Sequence, residues 1–120
     1  MNGIDLVVDT NILIYLHEAN PIVSPYTNSS WCCSVITEIE LLGAPNLSSI
    51  EKLKLQELIA DCIVFPFSDN IKNICIEIRQ NKKIKIPDAI IAATAIYFDL
   101  PLFSADKGFN DIPDLKFILI

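Results

Sequence analysis

Four carboxylates stand where the chain changes from one kind of element to the next: Asp9, Glu40, Asp88 and Asp106. Asp9 directly follows the apolar run Ile4–Val8, and Asp106 follows Leu102–Ser104 by two residues. Glu40 comes three residues after Thr37 and Asp88 directly after Pro87, and both positions read as the first turn of a helix. Singly, each has an ordinary explanation. Asp9 suits a helix N-cap, worth about 1 kcal/mol, and Glu40 suits the closing of a capping box with Thr37. Asp88 suits the positive end of a helix dipole, and Asp106 suits a turn. Jointly, the four would repel one another unless protons or a cation intervened. Oxygen donors without a His or Cys cluster suit Mg²⁺ or Mn²⁺ better than zinc. Two such ions about 3.5–4 Å apart clamp the attacking and leaving oxygens of a phosphodiester displacement. Metal-dependent phosphodiester chemistry is therefore indicated, provided the acids converge.

Charge and cysteine usage narrow the alternatives. Nine basic residues against 15 acidic ones give a net charge of −6, which argues against holding nucleic acid by charge alone. Yet Lys72, Arg79, Lys82, Lys83 and Lys85 place five of the nine cations within fourteen positions. Lys82, Lys83 and Lys85 lie just before Asp88, where they read either as a phosphate-binding rim or as a solvated helix end. Cys32, Cys33, Cys62 and Cys75 contain no C-x-x-C, and His17 is the only histidine, so no zinc site is expected. Buried, reduced thiols in a cytoplasmic protein are the simple reading. His17, two turns beyond Asp9, reads as structural or surface. No basic segment followed by an apolar core opens the chain, so export is not expected.

Convergence of the acids depends on the elements that carry them. Ile4–Val8 reads as a buried strand, followed by the capping residues Asp9-Thr10-Asn11 and a helix over Ile12–Leu16. Pro21 and Pro25 bound a loop or broken helix, and Trp31–Ser34 is a second strand. Thr37 to Glu40 matches a capping box, its helix stopped by Gly43 and Pro45. Ser48 to Glu51 repeats that signal and opens a helix to about Asp61, with Leu53, Leu55, Leu58 and Ile59 on one face. A strand at Cys62–Phe67 and a helix from Ser68-Asp69-Asn70 to about Gln80 follow. After a basic loop over residues 81–86, Pro87-Asp88 starts a helix rich in alanine that ends at Phe98. Ala89, Ala92, Ala93 and Ala95 suit close packing on a sheet. Leu102–Ser104 and Phe117–Leu119 are short strands. Trp31, Phe65, Phe67, Phe98 and Phe103 lie in or beside apolar runs and read as core, not as a base-stacking platform.

Hydrophobic residues at 52% against 20% charged exclude disorder. The mean hydropathy of +0.43 is high, yet no apolar run reaches the roughly 18–20 residues of a membrane helix. The excess fits strands buried on both faces. One α/β domain over residues 1–120 is expected, a three-layer sandwich of a central parallel sheet with helices on both faces. In such sheets the site lies at the carboxyl ends of the strands.

Four segments carry a resemblance. Val7-Val8-Asp9-Thr10-Asn11-Ile12-Leu13, Ser34-Val35-Ile36-Thr37-Glu38-Ile39-Glu40-Leu41-Leu42-Gly43, Pro87-Asp88-Ala89-Ile90-Ile91-Ala92-Ala93-Thr94-Ala95 and Phe103-Ser104-Ala105-Asp106-Lys107-Gly108-Phe109 together resemble the PIN-domain family. Within it, the chain is similar to the short VapC-type toxins of bacterial toxin–antitoxin pairs, over almost its whole length. The resemblance implies Mg²⁺- or Mn²⁺-dependent endoribonuclease cleavage. It matches Asp9, Glu40 and Asp88 to three central acidic positions and Asp106 to a fourth, and it selects Glu40 over Glu38. Thr10 and Asn11 match neighbours that orient Asp9 or a water on the metal. Gly108 stands where an acidic or polar residue is common, so weaker support is expected there. The implied partners are an RNA substrate, a VapB-like antitoxin occluding the acids, and a second copy of the chain, with no membrane. A catalytically silent PIN-like binding module and a housekeeping PIN ribonuclease are the alternatives. A phosphoacceptor receiver domain of similar size lacks support, because the acid pair it needs after the first strand is missing.

Overall fold

A computed structural model of the chain describes residues 5–26 and 28–120. Ile4, the first residue of the expected opening strand, lies outside the described residues. Five strands form one parallel sheet: β1 (Asp5–Val8), β2 (Ser30–Ser34), β3 (Ile63–Phe65), β4 (Leu102–Ser104) and β5 (Phe117–Leu119), in the order β3-β2-β1-β4-β5. The helices are α1 (Thr10–His17), α2 (Val35–Leu42), α3 (Ser49–Ala60), α4 (Asp69–Asn81) and α5 (Ile86–Tyr97), with 3₁₀ turns at Pro21–Tyr26 and Lys107–Phe109.

Side chains alternate across a strand, and here both sides of the alternation are apolar. Val7, Cys32 and Leu102 stand in one paired row and face a cluster built by Ile71, Ile78 and the alanines of α5. Leu6, Val8, Trp31, Cys33 and Phe103 face the other way, onto Ile12, Leu13, Leu41, Leu55 and Ile59. The adjacent Cys32 and Cys33 thus enter opposite cores, all four thiols are free, and burial pushes the Cys32 thiol up to about 11. The expected three layers are present, and they account for the high hydropathy. No helix among the described residues is long and apolar enough to cross a membrane.

The layer assignment follows from handedness. The chain moves outward from β1 to β2 to β3, then returns to β4 on the far side of β1. Right-handed crossovers in opposite directions put their helices on opposite faces. Accordingly α1, α2 and α3 cover one face, while α4 and α5 cover the other.

Several local expectations are corrected. α2 begins at Val35, capped by Ser34 Oγ, which accepts the Ile36 N–H. Thr37 is therefore a helical residue, fully buried, and forms no capping box with Glu40. The true capping box is the second one, between Ser48 and Glu51. Gly43 ends α2 without a left-handed conformation; a Cβ there would meet the Ile39 carbonyl oxygen at 2.5 Å. On α3, Leu55 and Ile59 are buried but Leu53 is 56% exposed. Phe67 is likewise not core: it lies beyond the end of β3 and is 48% exposed.

Ala92 and Leu53 mark the two extremes of this packing. Ala92→Leu should destabilise the fold by about 1–3 kcal/mol through overpacking. Leu53→Ala should change it by less than about 0.5 kcal/mol. Urea denaturation at equilibrium measures both.

Candidate active site

The chain reverses its outward progress between β1 and β4, and at such a switch point the ends of adjacent strands splay helices apart to leave a crevice. Asp9 stands at the end of β1 and Asp106 just beyond β4. Asp9 is 5% exposed. Its Oδ1 accepts the Ile12 N–H at 3.0 Å, which caps α1. Its Oδ2 accepts the hydroxyl of Ser104, the last residue of β4, at 2.5 Å. Ser104 Oγ in turn accepts the Asp106 N–H at 2.9 Å. One buried hydroxyl therefore fixes the first and fourth acids to each other. Asp106 Oδ1 accepts the Gly108 N–H at 2.8 Å. Gly108 thus supports Asp106 through its backbone, and a Cβ there would press to 3.0 Å from that oxygen.

Glu40 arrives from α2. Released from the expected cap, its Oε1 accepts the Thr10 hydroxyl at 2.7 Å, and Thr10 Oγ1 lies 3.3 Å from the buried Thr37 Oγ1. Thr10 has one proton to give, and the charged carboxylate is the stronger acceptor. Of the two roles expected of Thr10, orienting Asp9 or a water on the metal, the first is not made, since its hydroxyl goes to Glu40. Each Asp9 oxygen accepts one hydrogen bond and keeps a second lone pair free. Asn11 is exposed and makes no side-chain hydrogen bond among the described residues. Asp88 enters from the first turn of α5, half-buried.

The acids feel one another. Burial pushes the Asp88 carboxyl above its ordinary value, and the charges of Asp106, Glu40 and Asp9 push it further, against a smaller opposing pull from Lys85. Asp9 is raised by burial, with Ser104 and the Ile12 N–H opposing and Asp106 and Glu40 adding. Glu38 plays no part in either shift. The structure thus brings together the four expected acids. Among the described residues, no three such side chains stand close enough together to hold an ion as they are placed. The donor set nevertheless fits a hard divalent cation. It is all oxygen, two of its members are held above their ordinary range, and a cation is the charge that would relieve them.

Lys83 and Lys85 line a depression of about 220 Å³ together with Asp88, Asp106 and Gly108. Lys82 lies one step away, lining the neighbouring hollow with Arg79. Arg79 braces this loop by donating from Nε to the Ile84 carbonyl at 3.1 Å. His17 is exposed at the end of α1. Two residues of the site went unread in the sequence: Ser104 and Thr37. Ser104 carried a signal, since a polar residue ending a buried apolar strand, two places before an acid, must bond something. Thr37 was masked by its resemblance to a cap.

A family model described as PIN domain matches residues 6–115. No curated protein matches the chain in sequence. Among solved structures, VapBC2 from Rickettsia felis bound to a DNA fragment from their promoter aligns with a TM-score of 0.80 at 21% identity, covering 96% of this chain and 98% of that one. A toxin–antitoxin complex from Klebsiella pneumoniae aligns at 0.76 and 29% identity, covering 92% and 94%. FitAcB from Neisseria gonorrhoeae gives 0.75 and 24%, covering 94% and 96%.

The raised Asp88 carboxyl has a signed consequence. The folded chain holds that proton more tightly than the unfolded one, so ionising Asp88 costs stability as pH rises above the ordinary 3.8. In chelator-treated protein, Asp88→Asn should melt higher than wild type at pH 7. The difference should vanish below about pH 3.8, where both states are protonated. Thermal melts across pH measure it.

Proposed function

The chain belongs to the PIN-domain family, and from that membership we propose that it is a metal-dependent endoribonuclease, the toxin of a toxin–antitoxin pair, acting as a single domain over residues 1–120. The observation that carries this reading is the convergence of Asp9, Glu40, Asp88 and Asp106 at the switch point between β1 and β4.

Asp9 and Asp88 would hold the principal Mg²⁺ or Mn²⁺ ion, with Glu40 and Asp106 completing the set. Such an ion supplies neutralisation of phosphate charge and acidification of a water, so no protein base is needed. The chain's own residues set the stage. Ser104 and the Ile12 N–H fix the Asp9 carboxylate at the end of β1, and Thr10 holds Glu40 from the start of α1. Gly108 and Ser104 keep Asp106 from turning away. Lys83 and Lys85 beside Asp88 offer the phosphates of an RNA strand their counter-charge, with Lys82 just outside.

The partner reading rests on the company the fold keeps. The Klebsiella pneumoniae structure is a toxin–antitoxin complex and the one from Rickettsia felis is VapBC2. A small VapB-like antitoxin covering the acids, and a second copy of this chain, are the partners proposed. The four free thiols fit the reducing cytoplasm.

Asp9→Asn should abolish cleavage of cellular RNA while circular dichroism still reports a folded chain. Mn²⁺ should raise the melting temperature of wild type but not of this variant. Full cleavage by Asp9→Asn removes the site from consideration. Converting Lys82 and Lys83 to Glu should weaken RNA binding and flatten the dependence of log affinity on log salt by about two charges' worth. An unchanged affinity returns this loop to the role of a solvated helix end.

A further inference from the structure

The surface beyond the lysine loop continues away from the acids as a trough. A groove of about 460 Å³ runs between α4 and α5, with an apolar floor of Phe67, Ile76, Ile86 and Ile90 and with Lys72 and Arg79 on its rim. It shares Arg79 and Gln80 with the next hollow, which is lined by Lys82 and Lys83. That hollow shares Lys83 and Ile84 with the depression holding Asp88 and Asp106. The three hollows thus lie side by side, each sharing lining residues with the next.

Two properties identify an occupant. Every ionisable side chain lining the first two hollows, apart from the thiol of Cys75, is a cation, in a chain whose net charge is −6. Lys82 and Lys83 make no ion pair among the described residues, and Lys72 makes only an exposed one with Asp69 at 3.4 Å, of a kind worth little. The floor is also open: Phe67, Ile76 and Ile86 are 48%, 49% and 54% exposed. Phe67 stacks on no other ring among the described residues. Cations along a groove with an uncovered aromatic face are the two elements of single-strand recognition, one for phosphates and one for bases.

We propose that the α4–α5 trough is an extended subsite for single-stranded RNA. It seats bases on Phe67 and the neighbouring isoleucines and phosphates on Lys72 and Arg79, and leads the strand past Lys82, Lys83 and Lys85 to the acids. This rests on the nuclease reading and deepens it. A strand long enough to reach Phe67 gains contacts that a short one at the acids lacks.

The test uses Asp9→Asn protein, so that RNA is bound without being cut, and fluorescent oligoribonucleotides of about 4 and about 16 nucleotides, the range of small single-strand sites. The long RNA should bind more tightly. Adding Phe67→Ala should weaken its binding by about 5- to 100-fold, the range of one lost base–aromatic stack. Adding Lys72→Glu as well should drive the ratio of long to short affinities toward one. Both positions are exposed, and an unchanged melting temperature verifies the fold. Tight binding of both RNAs with an undiminished ratio in the variants overturns the trough and leaves the nuclease reading standing. Binding of neither RNA by the parent overturns both. Sedimentation supplies a further arm. If Phe67→Ala abolishes a concentration-dependent dimer without changing RNA affinity, the groove belongs to a second copy and not to RNA.

Discussion

A carboxylate at 5% exposure must have its charge answered or its proton retained. For Asp9 the answer comes from a neighbouring strand: the Ser104 hydroxyl at 2.5 Å, bridging the end of β1 to the end of β4. These paired strands flank the point where the chain reverses its progress across the sheet, so the bond spans that switch point just beyond their last paired residues. The same hydroxyl receives the Asp106 N–H, and the other Asp9 oxygen starts α1. One set of hydrogen bonds thus ties the strand ends, the start of α1 and two of the acids together. A change at Ser104 is felt at both.

Around that bond the site is assembled from elements that have no local reason to meet. β1 and β4 bring Asp9 and Asp106, α2 brings Glu40 through Thr10, and α5 brings Asp88. The alanines of α5 allow the helix to lie against the sheet, with Ala89, Ala92, Ala93 and Ala95 all fully buried. Bulkier side chains would lift Asp88 away from the strand ends. Core packing therefore sets the separation of the acids, and the acids accept a repulsion that nothing in the chain itself removes.

What was legible in the sequence, and what was not, divides along a physical line. Strand ends, the Asp9 cap, the Ser48 capping box and the small-residue face of α5 are written in nearest neighbours along the chain. The parallel sheet followed from strands separated by helix-length segments, and the family resemblance from four motifs in order. Glu40 was misplaced locally, because Thr37 and Glu40 have the spacing of a cap while Ser34 is the actual one. Two competing caps three residues apart are separated only by the burial of Thr37, a tertiary fact. The bond from Thr10 to Glu40 was not legible for the same reason, since that partner is thirty residues distant. Phe67 looked like core because it closes the apolar run Cys62–Phe67, yet β3 ends at Phe65, just before the strand-breaking Pro66, and the ring lies beyond the sheet.

The net charge conceals two opposed fields on one surface. Carboxylates crowd the switch point, while five of the nine cations occupy α4 and the loop leading to α5. Lys85 stands at the N-cap position of the helix whose first turn carries Asp88, without a side-chain cap bond, and its pull is the least of the influences on that carboxyl. The fields therefore do not cancel internally. Lys83 and Lys85 share a depression with Asp88 and Asp106, yet neither makes an ion pair with them among the described residues. A ligand with only one sign of charge answers half of this surface and aggravates the other half. A phosphate chain accompanied by divalent cations answers both, and each charge it brings is placed beside its opposite. On the nuclease reading, a polyanion would meet the separation of this acidic protein's charges and not their sum.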